Sequence, residues 1–295
     1  GETWQPLKEE QHDYSVNRGI KVDPVDPNIV YFGGLNSFVR ADGDNLDLFL
    51  DGSANDPDQK SGNELSPQFI DLLFKRSNHN IIYTAFLTET DLAPQYDGFY
   101  RFDFSDPNNP SWEKRNNGLT NKRIHALAMD KNTNTIYAGT EYGAASRSGG
   151  QGRSKIAVSG GGPGSLFKTT NEGQSWQMVN EDLSFITAYK LVVPENNQNH
   201  IYAATNGHGV YFSWDKGNNW EHLGKYDTIQ YVTLLDFNEQ DNSVYAYDRS
   251  SQKVYKTFEV WSEEWQEYNK HWIEIFDLSV IDNSDHVISL KTKGD

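Results

Sequence analysis

A chain of 295 residues is long enough for one large domain and does not require two. Its 42 acidic against 26 basic residues leave a net charge of −16, which argues against the basic footprint that a nucleic-acid backbone needs in a partner. A sequence without cysteine has no disulfide, no catalytic thiolate and no cysteine-held metal, and no stretch reaches the ~18 apolar residues that identify a membrane span.

Aromatic residues make up 13% of the chain, with 8 Trp and 16 Tyr, which suits a fold assembled from many short, half-buried strands. Gly1-Glu-Thr-Trp4 has the same spacing as Gly173 to Trp176, so the chain is expected to begin inside a repeat and to be a piece of a longer polypeptide. The first full repeat predicts strands near 18–22, 28–33, 37–41 and 46–50, with a hairpin at Arg40-Ala-Asp-Gly-Asp. Asp42 to Asp47 and Asp56-Pro-Asp58 cluster carboxylate oxygens as a calcium site would. Neither fits a twelve-residue calcium loop, and an acidic turn is the plainer reading. No metal or other cofactor is otherwise expected.

An aliphatic-Tyr pair recurs at Val30-Tyr31, Ile82-Tyr83, Ile136-Tyr137, Ile201-Tyr202 and Val244-Tyr245, and Val287-Ile288 supplies a sixth copy without the Tyr. The five Tyr lie 52, 54, 65 and 43 residues apart, a spacing that fits one four-stranded unit per repeat. Between these pairs, Ser105 to Trp112 reads as a degenerate turn with Asn109 where a Gly belongs. Ser148 to Gly164 is a Gly-rich insertion. It lacks the Gly-Lys-Ser/Thr ending of a phosphate loop and is read as a lid or recognition loop, made locally basic by Arg147, Arg153 and Lys155.

Two hairpins then carry one pattern, Ser/Thr-x-Asx-x-Gly-x-x-Trp: Thr169, Asn171, Gly173, Trp176 and Ser213, Asp215, Gly217, Trp220. The Asx side chain can accept hydrogen bonds from the backbone of its own turn, the Gly tolerates positive φ, and the Trp opens the next strand. With this pattern the chain resembles the Asp-box, or BNR-type, β-propellers of sialidases, xyloglucan-cleaving endoglucanases, sortilin-type receptors and photosystem II assembly factors. The resemblance implies four-stranded blades in a ring, with the box linking the third and fourth strands on the face away from any functional site. The expectation is therefore all-β: one propeller over residues 1–295 with about six blades. The last blade would use strands at Ile273 to Ile281 and His286 to Lys291, and Trp4-Gln-Pro-Leu7 would help to close the ring. Thr257 to Trp265 is one residue too long for a box and has no Gly.

In such a meander the long connections, Asp51 to Pro67, Thr88 to Asp97 and Glu141 to Gly164, share the face opposite the boxes, and loops on a rigid scaffold are where binding concentrates. The candidate ligand-binding residues are Tyr96, Tyr100, Tyr142, Arg147, Arg153, His208 and Tyr247. The box residues, with Trp112, are assigned to packing. The Arg residues, among them Arg18, Arg40, Arg101, Arg123 and Arg249, do not recur at equivalent repeat positions, which argues against a sialidase-like arginine triad. No catalytic constellation stands out, and the leading expectation is an exported, non-catalytic module that recognises a protein or glycan. The competing expectation is a glycoside hydrolase acting through two carboxylates, with Asp91, Asp97, Glu141 and Asp248 as the available acids.

Overall fold

A computed structural model describes residues 16–34, 37–43, 45–48, 67–88, 97–106, 109–142, 166–179, 183, 186–224, 229–262, 267–278 and 290. The chain divides into two compact units, Gly1–Lys114 and Arg115–Asp295. Among the described residues no helix is long and apolar enough to cross a membrane.

The first unit holds two four-stranded antiparallel meanders. One runs β1 (Val16–Val22), β2 (Ile29–Gly34), β3 (Ser37–Asp42) and β4 (Asn45–Leu48), each end within two residues of the strands expected from the sequence. The other runs β5 (Pro67–Phe74), β6 (Ile81–Thr88), β7 (Gly98–Asp103) and β8 (Ser111–Lys114). Ile29 and Tyr31 of one sheet pack with Phe69, Leu72, Ile82, Phe86 and Phe102 of the other. Burial of each such side chain is worth about 2 kcal/mol of transfer free energy.

The second unit holds three more sheets of the same kind. These are β9 (Ile124–Asp130), β10 (Thr135–Thr140), β11 (Leu166–Thr169) and β12 (Gln177–Met178); then β13 (Ala188–Val192), β14 (Ile201–Thr205), β15 (Val210–Ser213) and β16 (Glu221–His222); then β17 (Val232–Asn238), β18 (Ser243–Asp248), β19 (Lys253–Ser262) and β20 (Glu267–Asp277). All five aliphatic-Tyr pairs fall in the second strand of their sheet, and four of the five Tyr are 2% exposed or less.

The residue paired with that Tyr on the third strand is also repeated. Arg40 faces Tyr31, Arg101 faces Tyr83, Lys168 faces Tyr137 and Lys256 faces Tyr245. Lys256 Nζ lies 5.3 Å from the Tyr245 ring centroid, and Arg40 and Arg101 each reach the Asp two residues on, at 3.3 and 2.9 Å. The expectation that no Arg recurs is therefore corrected: Arg40 and Arg101 are equivalent, and they serve the sheet. Asp42, the first residue of the suspected calcium cluster, is the acceptor from Arg40, and the side chains of residues 44–50 and 56–58 lie outside the described set.

The two patterned hairpins share one hydrogen-bond geometry. Thr169 Oγ1 accepts from Gly173 N at 3.0 Å and Asn171 Oδ1 accepts from Ser175 N at 2.9 Å. Ser213 Oγ accepts from Gly217 N at 2.8 Å, and Asp215 Oδ1 from Asn219 N at 2.8 Å. Gly173 and Gly217 have φ of 84° and 85°, as the turn requires. Trp176 is buried and donates from Nε1 to Arg115 O at 2.9 Å, while half-buried Trp220 joins the core of Tyr137, Leu191 and Ile201.

Strand register corrects the degenerate copy. Ile136 pairs with Thr169, Ile201 with Ser213 and Ile82 with Phe102, so Phe102 and not Ser105 stands in the Ser/Thr place. Asp103 Oδ1 accepts from Ser105 N at 3.0 Å. Trp112 stands ten positions after Phe102, against seven from Thr169 to Trp176, so it arrives late. It lies inside β8 opposite Phe102 and is 53% exposed, against the expectation that it packs as the other box Trp residues do.

The end of the chain departs further. Thr257, 3% exposed, accepts from Val244 N at 2.8 Å, and β19 continues past it to Ser262. The segment from Ile273, expected to open a sixth repeat, is instead part of β20 and completes the fifth sheet by pairing from Ser262↔Glu267 to Lys253↔Asp277. Trp272 on that strand is 8% exposed, donates to Leu223 O at 3.1 Å and packs with Tyr202, Leu235 and Val244. Residues 4–7 and 286–291, apart from 290, lie outside the described set, which holds five sheets.

Candidate functional site

The ends of the second unit's sheets that carry the connections from second to third strand also carry a hollow. Its volume is about 320 Å³, and it is lined by Tyr189, Asn206, Tyr231, Thr233, Arg249 and Ser250. Tyr189 is on β13, Asn206 follows β14, Tyr231 and Thr233 lie at the start of β17, and Arg249 and Ser250 follow β18. Backbone hydrogen bonds fix these pieces to one another. Asn206 forms an isolated antiparallel bridge with Tyr231 and donates to Thr187 O at 3.1 Å. Gly209 N donates to Gln230 O at 2.8 Å, and Arg249 N to Tyr231 O at 2.9 Å.

Asp248 holds the far side. It is 2% exposed; Oδ1 accepts from Ser250 N at 2.8 Å and from Ser250 Oγ at 2.6 Å, and Oδ2 accepts from Gln230 N at 2.9 Å. Buried and hydrogen-bonded at both oxygens, this carboxylate ties the β18–β19 turn to the entry of β17 and is held out of solvent. Glu141 is committed as well. Its Oε2 accepts from Arg123 Nε at 2.5 Å and lies 3.4 Å from His125 Nε2, while its backbone oxygen accepts from Asn121 Nδ2 at 2.6 Å. The hydrogen bond with His125 and the Arg123 contacts outweigh burial and pull the Glu141 carboxyl down to about 2. Such an acid is ionised at any ordinary pH and cannot donate a proton to a leaving group. The cluster sits where β10 ends and anchors the root of the long connection. Its His125 ring meets Tyr189 edge-to-face at 5.3 Å, which braces one wall of the hollow.

The residues expected to bind ligand fare differently. Tyr100 is 4% exposed, in the core of the first unit with its ring against Phe86 at 5.1 Å, and Tyr247 is 3% exposed. Both are core side chains, because inward-facing positions of interior strands leave no route to solvent; neither presents a ring to a ligand. Tyr142 is 48% exposed and His208 is exposed, both at this same end of the second unit, yet neither lines the hollow. Tyr96, Arg147, Arg153 and Asp91 lie outside the described residues. Asp97 is 3% exposed and belongs to the first unit. Among the described residues no three His, Asp or Glu side chains converge as metal ligands.

Sequence reasoning passed over Tyr189, Tyr231 and Thr233 altogether. Their only signal is positional: each lies at the entry to a first strand, next to a second-to-third connection of the neighbouring repeat. Exposure then separates Tyr231, 45% exposed, from the buried second-strand tyrosines.

No protein-family model matches the chain, and no curated protein matches it. Solved structures do. A GH74 enzyme of Niastella koreensis is matched at TM-score 0.57 and 16% identity, over 86% of this chain and 37% of that one. The GH74 xyloglucanase of Xanthomonas campestris gives 0.56 and 14%, over 87% and 38%. The extracellular domain of a putative one-component system of B. thetaiotaomicron gives 0.53 and 14%, over 82% and 27%. The chain thus spans less than two fifths of the length of each. At these identities the likeness is one of fold, and the all-β chain of repeated four-stranded antiparallel sheets has a β-propeller fold.

Proposed function

We propose that this chain is an extracytoplasmic, non-catalytic binding propeller that takes a glycan in the hollow between Tyr189 and Tyr231. The carrying observation is the composition of that hollow: two tyrosine rings surround an amide, two hydroxyls and a guanidinium on a hydrogen-bonded frame. Aromatic faces stack on the C–H face of a sugar ring, and short polar side chains read its hydroxyls. A volume of about 320 Å³ suits one or two rings of a longer chain. The neighbour named as a xyloglucanase supports a glycan ligand, and the one named as the extracellular domain of a putative one-component system supports an extracytoplasmic place. Their greater length supports further domains in the parent polypeptide.

The two patterned hairpins are read as Asp-boxes, away from this site. A sixth blade is supported by the face of the fifth sheet that alternation turns away from the Trp272 core, where Phe258, Ile273 and Phe276 are 43%, 49% and 54% exposed. The test is calorimetric titration of the chain with soluble plant and microbial polysaccharides, run beside a reducing-sugar assay. The reading expects binding that Tyr231→Ala weakens at least tenfold, with no release of sugar ends. Hydrolysis would replace it by the two-carboxylate enzyme, and silence across the panel would remove the glycan from it.

A further inference from the structure

Resting on that reading, we infer that the hollow selects an acidic sugar, a hexuronate residue whose carboxylate is held by Arg249. In a chain with a net charge of −16, an exposed cation ordinarily has an acidic neighbour. Arg249 is exposed, yet among the described residues its guanidinium has neither an ion-pair nor a hydrogen-bond partner, while Arg40, Arg101, Arg115 and Arg123 each have one. The carboxylate next to it in sequence, Asp248, is turned inward and bonded to Gln230 and Ser250. The Arg249 backbone is pinned to Tyr231 O and both residues line the hollow, so the guanidinium does not wander with a loose loop.

That pairing has a chemical meaning. A planar guanidinium grips a carboxylate through two parallel hydrogen bonds, and it does so best on a fixed backbone. A tyrosine ring stacks on the apolar face of a pyranose. A hexuronate carries both features on one ring, with the carboxylate at its edge, and its hydroxyls are left for Asn206, Thr233 and Ser250. A neutral sugar would use the ring and hydroxyl contacts and leave the guanidinium to water. The overall negative charge gives a polyuronate no long-range steering, so selection must come from these contacts at short range.

The experiment titrates the chain with oligogalacturonate, oligomannuronate and hyaluronan oligomers, each beside its carboxyl-reduced neutral counterpart and beside oligoglutamate. Wild type, Arg249→Ala, Arg249→Lys and Tyr231→Ala are compared after thermal melts confirm that each folds. The inference expects at least one uronate oligomer to bind tenfold or more tighter than its neutral counterpart. Arg249→Ala should erase that preference and keep the residual neutral binding, Arg249→Lys should keep only part of it, and Tyr231→Ala should weaken both forms. Equal binding of acidic and neutral oligomers, lost with Tyr231→Ala, would overturn the inference and leave the glycan reading standing. Binding of oligoglutamate as tight as any uronate would overturn the sugar as the source of the carboxylate. Absence of binding by every oligosaccharide would overturn both.

Discussion

Gly217→Ala isolates what the patterned hairpin demands of its glycine. At φ of 85° the residue sits in the left-handed region, where a Cβ costs about 1–2 kcal/mol. The new methyl would also lie 2.7 Å from Val179 Cγ1, a branched carbon packed against the core of Tyr137 and Ile201, and relieving such an overlap costs about 1–3 kcal/mol. Stiffening of the unfolded chain returns about 0.5 kcal/mol. The net destabilisation is about 2–4 kcal/mol. Gly207→Ala supplies the control, since its φ of 83° is nearly the same but its Cβ would meet only the Tyr231 ring, at 3.5 Å. That variant should lose about 1 kcal/mol. Urea or thermal unfolding followed by tryptophan fluorescence should show Gly217→Ala less stable by several degrees, at about 2–4 °C per kcal/mol. Val179→Ala should recover part of the loss when combined with Gly217→Ala. Equal destabilisation of the two glycine variants, with no recovery from Val179→Ala, would refute the steric half of the argument.

Trp176→Ala removes a buried ring bonded to Arg115 O and should cost about 3–5 kcal/mol, whereas Trp112→Ala, at 53% exposure, should cost about 1 kcal/mol; chemical denaturation of the two compares them directly. The Glu141 carboxyl is depressed from 4.5 to about 2, so its contribution is present above pH 4.5 and is lost as pH falls toward 2. Discounted for its partial exposure, that contribution is about 2 kcal/mol, and Glu141→Gln should flatten the acid limb of a stability-pH curve; a curve parallel to wild type would contradict the ion-pair account. Asp248→Ala leaves Gln230 N and Ser250 N without their acceptor. It should cost about 2–4 kcal/mol in unfolding experiments and abolish glycan binding even in protein that remains folded, because Arg249 and Tyr231 lose their common anchor.

The repeat was legible because its demands are local. A turn that needs a positive-φ residue and an acceptor two positions after a Ser or Thr leaves a fixed spacing, and a second strand buried on both faces leaves an aliphatic residue beside a Tyr. Where one insertion shifts a spacing, the same reasoning misfires. Three extra residues between Phe102 and Trp112 leave Trp112 at the surface, and pattern matching placed Ser105 where strand pairing puts Phe102. At the chain's end the third and fourth strands lengthen, to Lys253–Ser262 and Glu267–Asp277, and absorb residues that periodicity alone assigns to the next repeat.

The hollow lay beyond that kind of reading for a different reason. Its residues share neither a motif nor a segment; Tyr189, Asn206, Tyr231 and Arg249 meet because two successive sheets bring the entry of one first strand beside the exit of its neighbour's second strand. Composition misled as well, since tyrosines chosen for their aromatic character included Tyr100 and Tyr247, which the interior strands bury. What separates a buried tyrosine from an exposed one in this fold is its position along the strand. Tyr31, Tyr83, Tyr137 and Tyr202 sit within a second strand, buried, while Tyr231 sits one residue before a first strand and keeps its ring in solvent. The same rule separates the cations: Arg40 and Arg101 lie on a third strand and are consumed by an Asp two residues on, and Arg249 lies one residue past a second strand with no partner for its guanidinium among the described residues.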